Sequence, residues 1–139
     1  INEDMKRDKN NPNSEIRNGL HETFHENGQV KIRCNYKNGT PHGFYEMFYE
    51  NGQLSLRRNY KNGVNEGLDE TFYENGQLSG RYIRKNDEYY GLWEDFYENG
   101  QLKYRGNFKD GKHEGLWESF DEEGNLTKTE EYKDGVLQE

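Results

Sequence analysis

The chain is 139 residues long and carries a net charge of −8, from 27 acidic and 19 basic side chains. Leu, Ile, Val and Phe supply only 24 residues, about 17%, too few for a thick globular core, yet aromatic residues make up 14%, with 11 tyrosines, more than unstructured chains carry. The acidic balance argues against a nucleic-acid partner, which demands clustered positive charge, and against anionic membrane surfaces; no apolar run approaches the roughly 18 residues that a membrane-inserted helix needs.

Residues 1–18, INEDMKRDKNNPNSEIRN, lack periodicity and include Pro12. They read as a flexible polar leader, with room for a half-repeat strand around Glu15–Arg17. The chain opens on Ile1 rather than Met, so an upstream segment is expected to have been cut away. A removed signal peptide would place the protein in the envelope or outside the cell; otherwise it is expected in the cytoplasm. Alanine is absent while Asn, Lys and Tyr abound, a usage that low-GC codons produce and that suggests a bacterial source. Cys34, the one cysteine, has no internal disulfide partner and no paired Cys or His spacing for zinc, and reads as a small buried residue.

From Gly19 onward the chain repeats with a period of 24 residues, dividing into copies 19–42, 43–66, 67–90, 91–114 and 115–139. Glycine opens each copy, at Gly19, Gly43, Gly67, Gly91 and Gly115. Glutamate follows three places later, at Glu22, Glu46, Glu70, Glu94 and Glu118, and phenylalanine five places later, at Phe24, Phe48, Phe72, Phe96 and Phe120. The phrase ENGQL then stands at 50–54, 74–78 and 98–102, altered to ENGQV at 26–30 and EEGNL at 122–126. A second aromatic place holds Tyr36, Tyr60, Phe108 and Tyr132, with Arg84 breaking the series, and a second turn follows at Asn38-Gly39, Asn62-Gly63, Asp110-Gly111 and Asp134-Gly135. The third copy has Asn86-Asp87 there, so an irregular loop is expected.

Each copy thus holds two runs of about eight residues ended by Asn-Gly or Asp-Gly, a strong hairpin signal. Apolar residues recur at strand rather than helix period. The fold class is therefore all-β, an elongated single-layer antiparallel meander of about five β-hairpin repeats, stabilised mainly between neighbouring copies. Two registers remain open. A two-residue Asn-Gly turn sets Glu22 opposite Arg33, Glu46 opposite Arg57, Glu70 opposite Arg81 and Glu94 opposite Arg105. A three-residue Glu-Asn-Gly loop with left-handed glycine gathers Leu92, Phe96, Leu102 and Phe108 on one face; binary patterning favours this second register, with the Phe row as core.

The residues now resemble a known family. Glycine-opened hairpins such as GLWEDFYENGQLKYRGNFKDGKHEG at 91–115 are similar to the variant MORN repeats of many bacterial proteins, over about 19–139. The resemblance implies a curved single-layer β-meander, and either an antitoxin of a toxin–antitoxin system or an interaction protein. The fifth copy departs from the pattern at Asp121, Lys128 and Thr129 and reads as a polar terminal cap.

No phosphate-cradling glycine loop and no nucleophile elbow occurs. His21 and His25 lie about 13 Å apart on a strand, too far to share a metal. The chain is therefore read as non-enzymatic, with no catalytic residue, cofactor or metal. Candidate partner-binding residues are the additional aromatics Tyr45, Trp93 and Trp117 at the third place and Tyr49, Tyr73 and Tyr97 at the seventh, with Arg57, Arg81 and Arg105 nearby. Tyr, Trp and Arg are enriched at interface hot spots. The partner is expected to be a protein, bound through this aromatic, arginine-dotted face or an exposed sheet edge. A toxin is the alternative partner, and a sugar or choline-like cation on stacked rings the third. The competing structural role is that these rings simply cover the second face of a thin ribbon.

Overall fold

The structure, a computed structural model, describes the backbone of residues 5–8 and 11–16 and the whole of residues 17–139. Every element is a strand: β1 (Met5–Asp8), β2 (Asn11–Arg17), β3 (Gly19–Phe24), β4 (Val30–Lys37), β5 (Thr40–Phe48), β6 (Leu54–Lys61), β7 (Val64–Asn65), β8 (Gly67–Phe72), β9 (Leu78–Lys85), β10 (Glu88–Phe96), β11 (Leu102–Lys109), β12 (Lys112–Phe120), β13 (Leu126–Lys133) and β14 (Val136–Gln138). β1 and β2 form a separate antiparallel pair, and β3 to β14 form one open sheet in sequence order, with β7 and β8 both pairing β6. No second layer lies on this sheet among the described residues, so burial comes only from side chains spreading sideways over their neighbours.

The ENGQL phrase builds one of the two kinds of hairpin turn. His25 N donates to Gln29 O (2.8 Å) and Gly28 N to His25 O (3.0 Å), closing a three-residue Glu26-Asn27-Gly28 loop with Gly28 at φ 88°. That left-handed angle is open to glycine at no steric cost. Asn27 Oδ1 accepts from Gln29 N at 2.9 Å, which holds the turn. The opposite strand ends are joined by two-residue turns: Lys37 stands opposite Thr40, and Asn38 and Gly39 between them have φ of 52° and 83°.

Asn86-Asp87 adopts this second geometry too, with φ of 52° and 67° and Lys85 opposite Glu88. The expected irregular loop is therefore a regular turn. Asp tolerates left-handed angles better than most side chains, and Asp87 Oδ1 also accepts from Asn65 N at 2.8 Å.

The register combines features of the two that the sequence left open. The turn is the three-residue loop, but an extra residue then slips into the second strand. Phe24 stands opposite Val30 and Thr23 opposite Ile32, leaving Lys31 unpaired in a β-bulge. The bulge recurs in every copy, at Ser55, Ser79, Lys103 and Thr127. Beyond it Glu22 faces Arg33 and Glu94 faces Arg105, while Phe108 faces Gly91 and turns to the same side as Trp93. The expected grouping of Leu92, Phe96, Leu102 and Phe108 thus loses Phe108, because one inserted residue reverses the alternation of everything after it.

Candidate interaction surfaces

One face carries a ladder of alternating charge across the sheet. Cα pairing runs without a break through Glu22, Arg33, Glu46, Arg57, Glu70, Arg81, Glu94, Arg105 and Glu118. Four ion pairs form along it: Arg33 Nε–Glu22 Oε2 at 3.0 Å, Arg57 Nη2–Glu46 Oε2 at 2.9 Å, Arg81 Nη2–Glu94 Oε1 at 2.6 Å and Arg105 Nη2–Glu118 Oε1 at 2.9 Å. Their direction reverses at the middle rung. Arg57 turns toward β5 and Arg81 toward β10, and Glu70 between them has no ion pair or side-chain hydrogen bond among the described residues. The guanidinium groups of Arg33, Arg57, Arg81 and Arg105 also lie 5.6 to 6.0 Å from the ring centres of Phe48, Phe44, Phe96 and Phe120, within cation–π range.

One of the two apolar rows flanking this ladder is open to solvent along its whole length. Leu20, Phe44, Leu68, Leu92 and Leu116 are 38 to 56% exposed, and Phe24 is 58% exposed. In the recurrent Phe row, expected as the core, the edge member Phe24 is exposed while Phe48, Phe72, Phe96 and Phe120 are partly buried, none of them fully.

The opposite face is the packed one. Trp117 and Cys34 are each 1% exposed. Rings run in near-continuous contact through Tyr82, Trp93, Phe108, Trp117 and Tyr132, with successive centres 3.9, 5.3, 5.1 and 6.4 Å apart, the first two contacts tilted and the last two edge-to-face, the latter an arrangement that aromatic rings prefer. His113 lies 4.3 Å from Trp117 and 4.8 Å from Tyr132, centre to centre. In the third copy, Asp69 replaces the third-place aromatic and Arg84 the later one. The two departures are one feature: Arg84 Nε donates to Asp69 Oδ2 at 3.2 Å, and Asp69 is 1% exposed. Arg84 further donates to Tyr89 Oη at 2.8 Å and covers the Tyr89 ring at 3.8 Å. Burial raises the phenol pKa of Tyr36, Tyr45, Tyr82 and Tyr104. For Tyr82 a 2.5 Å hydrogen bond to Asp95 Oδ1 adds to the effect.

The seventh-place tyrosines bind copy to copy. Tyr49, Tyr73 and Tyr97 donate their hydroxyls to Phe72 O (2.6 Å), Phe96 O (2.5 Å) and Phe120 O (2.8 Å), one repeat onward. Asn27, Asn51, Asn75 and Asn99 likewise donate to the carbonyls of Glu50, Glu74, Glu98 and Glu122. The fifth copy closes this series on itself, since the Asp121 carboxylate accepts from Glu123 N and Asn125 N. These bonds hold the Asp121 pKa below its ordinary value, the Asn125 N–H foremost.

The nine residues singled out from the sequence are therefore not one surface. Tyr45, Trp93 and Trp117 lie on the packed face, Arg57, Arg81 and Arg105 on the open face, and Tyr49, Tyr73 and Tyr97 bridge repeats near the turns. Sequence reasoning missed the open row and the central Glu70. The polar residue one place after each Leu or Val, at Lys31, Ser55, Ser79, Lys103 and Thr127, occupies the bulge that sets the faces, but a polar side chain there does not by itself distinguish a bulge from a simple ladder.

A single open sheet of hairpin copies, each bonded mainly to the next, defines a β-repeat protein. The matched stretches of the MORN repeat variant fall at residues 17–38, 41–62, 89–110 and 114–134. The chain belongs to that family. Two of these stretches open at a strand residue whose carbonyl accepts from the glycine of the turn that follows the stretch, Gly39 N donating to Arg17 O and Gly63 N to Pro41 O. Residues 63–88, which include Asp69 and Arg84, lie outside the matched stretches. No curated protein matches the chain.

Proposed function

We propose that the chain is a non-catalytic repeat scaffold that works by protein–protein contact through the open face of the sheet. The observation that carries this reading is the exposure of an apolar residue at the same place in all five copies, Leu20, Phe44, Leu68, Leu92 and Leu116. Large exposed apolar rows on soluble proteins mark interaction sites. Arg57, Arg81 and Arg105 stand in line beside them, so this face keeps the arginine half of the expected hot spot and exchanges its aromatic half for Leu and Phe. A net charge of −8 favours a protein over a nucleic acid as partner. Neutralisation of a toxin is one case of such contact and would use the same face.

The test is a photoreactive residue placed at position 92 on the open face or at position 60 on the packed face, irradiated in cells of the source organism. Polypeptide adducts are expected from position 92 and not from position 60. Adducts from position 60 alone, or none from either, contradict the reading.

A further inference from the structure

We infer that the occupant of the open face is a second copy of this chain, packed face to face about a twofold axis that runs parallel to the strands between β8 and β9. The inference rests on the reading that the open face makes protein contacts, and the charge pattern supplies the identity of the partner.

A twofold axis along the strands keeps each residue at its height along the strand and reverses the order of strands. Each row of the face then meets the same row of the other copy, and because Leu68 pairs with Ile83 and Phe72 with Leu78 in the sheet, an axis between β8 and β9 sets Leu68 against Ile83 and Phe72 against Leu78 of the other copy. With nine rungs of strictly alternating sign, an axis passing through a rung opposes like charges, and an axis passing between adjacent rungs opposes unlike charges throughout. A twofold axis running across the strands instead places Glu on Glu and Arg on Arg. Opposed like charges cost several kcal/mol across an interface, so the ladder selects the strand-parallel axis between rungs.

Glu70 fixes which gap that axis occupies. It is the fifth of the nine rungs and the one without an ion-pair partner among the described residues, because Arg57 and Arg81 are drawn to Glu46 and Glu94. An axis beside Glu70 supplies the missing cation from the other copy. β8 pairs β9 over six residues but β6 over only two, so the regular β8–β9 hairpin is the surface on which a second sheet lies most evenly. With the axis there, Glu70 faces Arg81 of the second copy and the reverse, Arg57 faces Glu94, and Glu46 faces Arg105. Packed sheets cross at roughly 30° because each is twisted, which concentrates the contact on these central rungs and on Leu68 and Leu92.

The experiment is light scattering coupled to size exclusion on the full chain and on Glu70→Arg and Arg81→Glu, each alone and then mixed. The unsubstituted chain is expected at twice its 16.6 kDa mass at high concentration, and each variant alone at the monomer mass, because its own copies now oppose like charges. An equimolar mixture of the two variants is expected to recover the doubled mass, since the arginine introduced at position 70 of one then meets the glutamate introduced at position 81 of the other. Circular dichroism of each variant must match the unsubstituted chain, which separates lost pairing from lost folding; the recovered mixture makes the same separation independently. A chain that stays monomeric, a Glu70→Arg variant that remains dimeric, or a mixture that fails to recover overturns the twofold arrangement. Adducts between position 92 and a different polypeptide, seen with a monomeric chain, overturn self-pairing while leaving the open face as the binding surface.

Discussion

The Trp117 indole lies against the backbone of Gly106, so closely that a Cβ at Gly106 would overlap the ring carbons. Trp117 is 1% exposed although the sheet has one layer. Trp117→Ala is expected to lower stability by about 3–5 kcal/mol, as for large core truncations, and Gly106→Ala by about 1–3 kcal/mol through overpacking. Phe24→Ala, at a ring 58% exposed, should cost far less. Urea titration followed by circular dichroism ranks the three.

Asp69 and Arg84 make a second prediction. Asp69→Ala strips a buried carboxylate from Arg84 at 3.2 Å and Arg58 at 3.8 Å, and breaking such a pair from one side costs about 3–5 kcal/mol. The double change Asp69→Tyr with Arg84→Tyr copies the second repeat, where Tyr45 and Tyr60 pack at 5.8 Å. It should regain most of that loss, since replacing both members of a buried pair by packed rings is often neutral or better. Thermal melts of the single and double variants decide.

How much of this was legible in the sequence differs by level. The period, the strands, the single layer and the left-handed Gly28 turn all follow from local residue preferences. Asn27 also shows why the phrase ENGQL repeats: one side chain closes its own turn and reaches the next copy. Which face is buried was not legible, because that depends on Lys31 and its equivalents standing unpaired. A polar residue near a turn is compatible with either a bulge or a simple ladder. The Glu and Arg ladder and the three-residue loop looked like alternatives only while the bulge was unseen. Asp69 and Arg84 read as two separate departures because their pairing crosses 15 residues of chain.

The hydroxyl bonds between copies give a third prediction. Tyr73→Phe removes the donor to Phe96 O and should cost about 0.5–1.5 kcal/mol. Tyr49→Phe and Tyr97→Phe should behave alike, and the losses should add, because separated sites are independent. Urea midpoints of the single and triple variants measure it; no loss in the triple variant would remove the copy-to-copy role of these bonds.

Alkaline pH should unfold the chain cooperatively. Burial first, and after it the Cys34 thiol for Tyr36 and Tyr45 and nearby acidic or phenolic groups for the others, raise the phenol pKa of Tyr36, Tyr45, Tyr73, Tyr82 and Tyr104. A raised folded-state pKa means that stability is fully present below the unfolded value of about 10 and is lost as pH rises above it, since the unfolded chain ionises first. Phenolate absorbance should therefore rise together with loss of circular dichroism, and Tyr82→Phe should soften the pH dependence. Independent titration of all tyrosines near pH 10 in a still folded chain would contradict this.

The central claim is that the Trp and Tyr face holds the sheet together while the Leu, Phe, Glu and Arg face stands free to bind. Hydroxyl-radical footprinting of the native chain, kept dilute enough to be monomeric and read residue by residue by mass spectrometry, tests it most directly. Strong protection of Trp117 relative to the unfolded chain, with ready oxidation of Phe24, Phe44 and Leu116, is the predicted result. Oxidation of Trp117 at its unfolded rate, with the Phe and Leu rows protected, would contradict it.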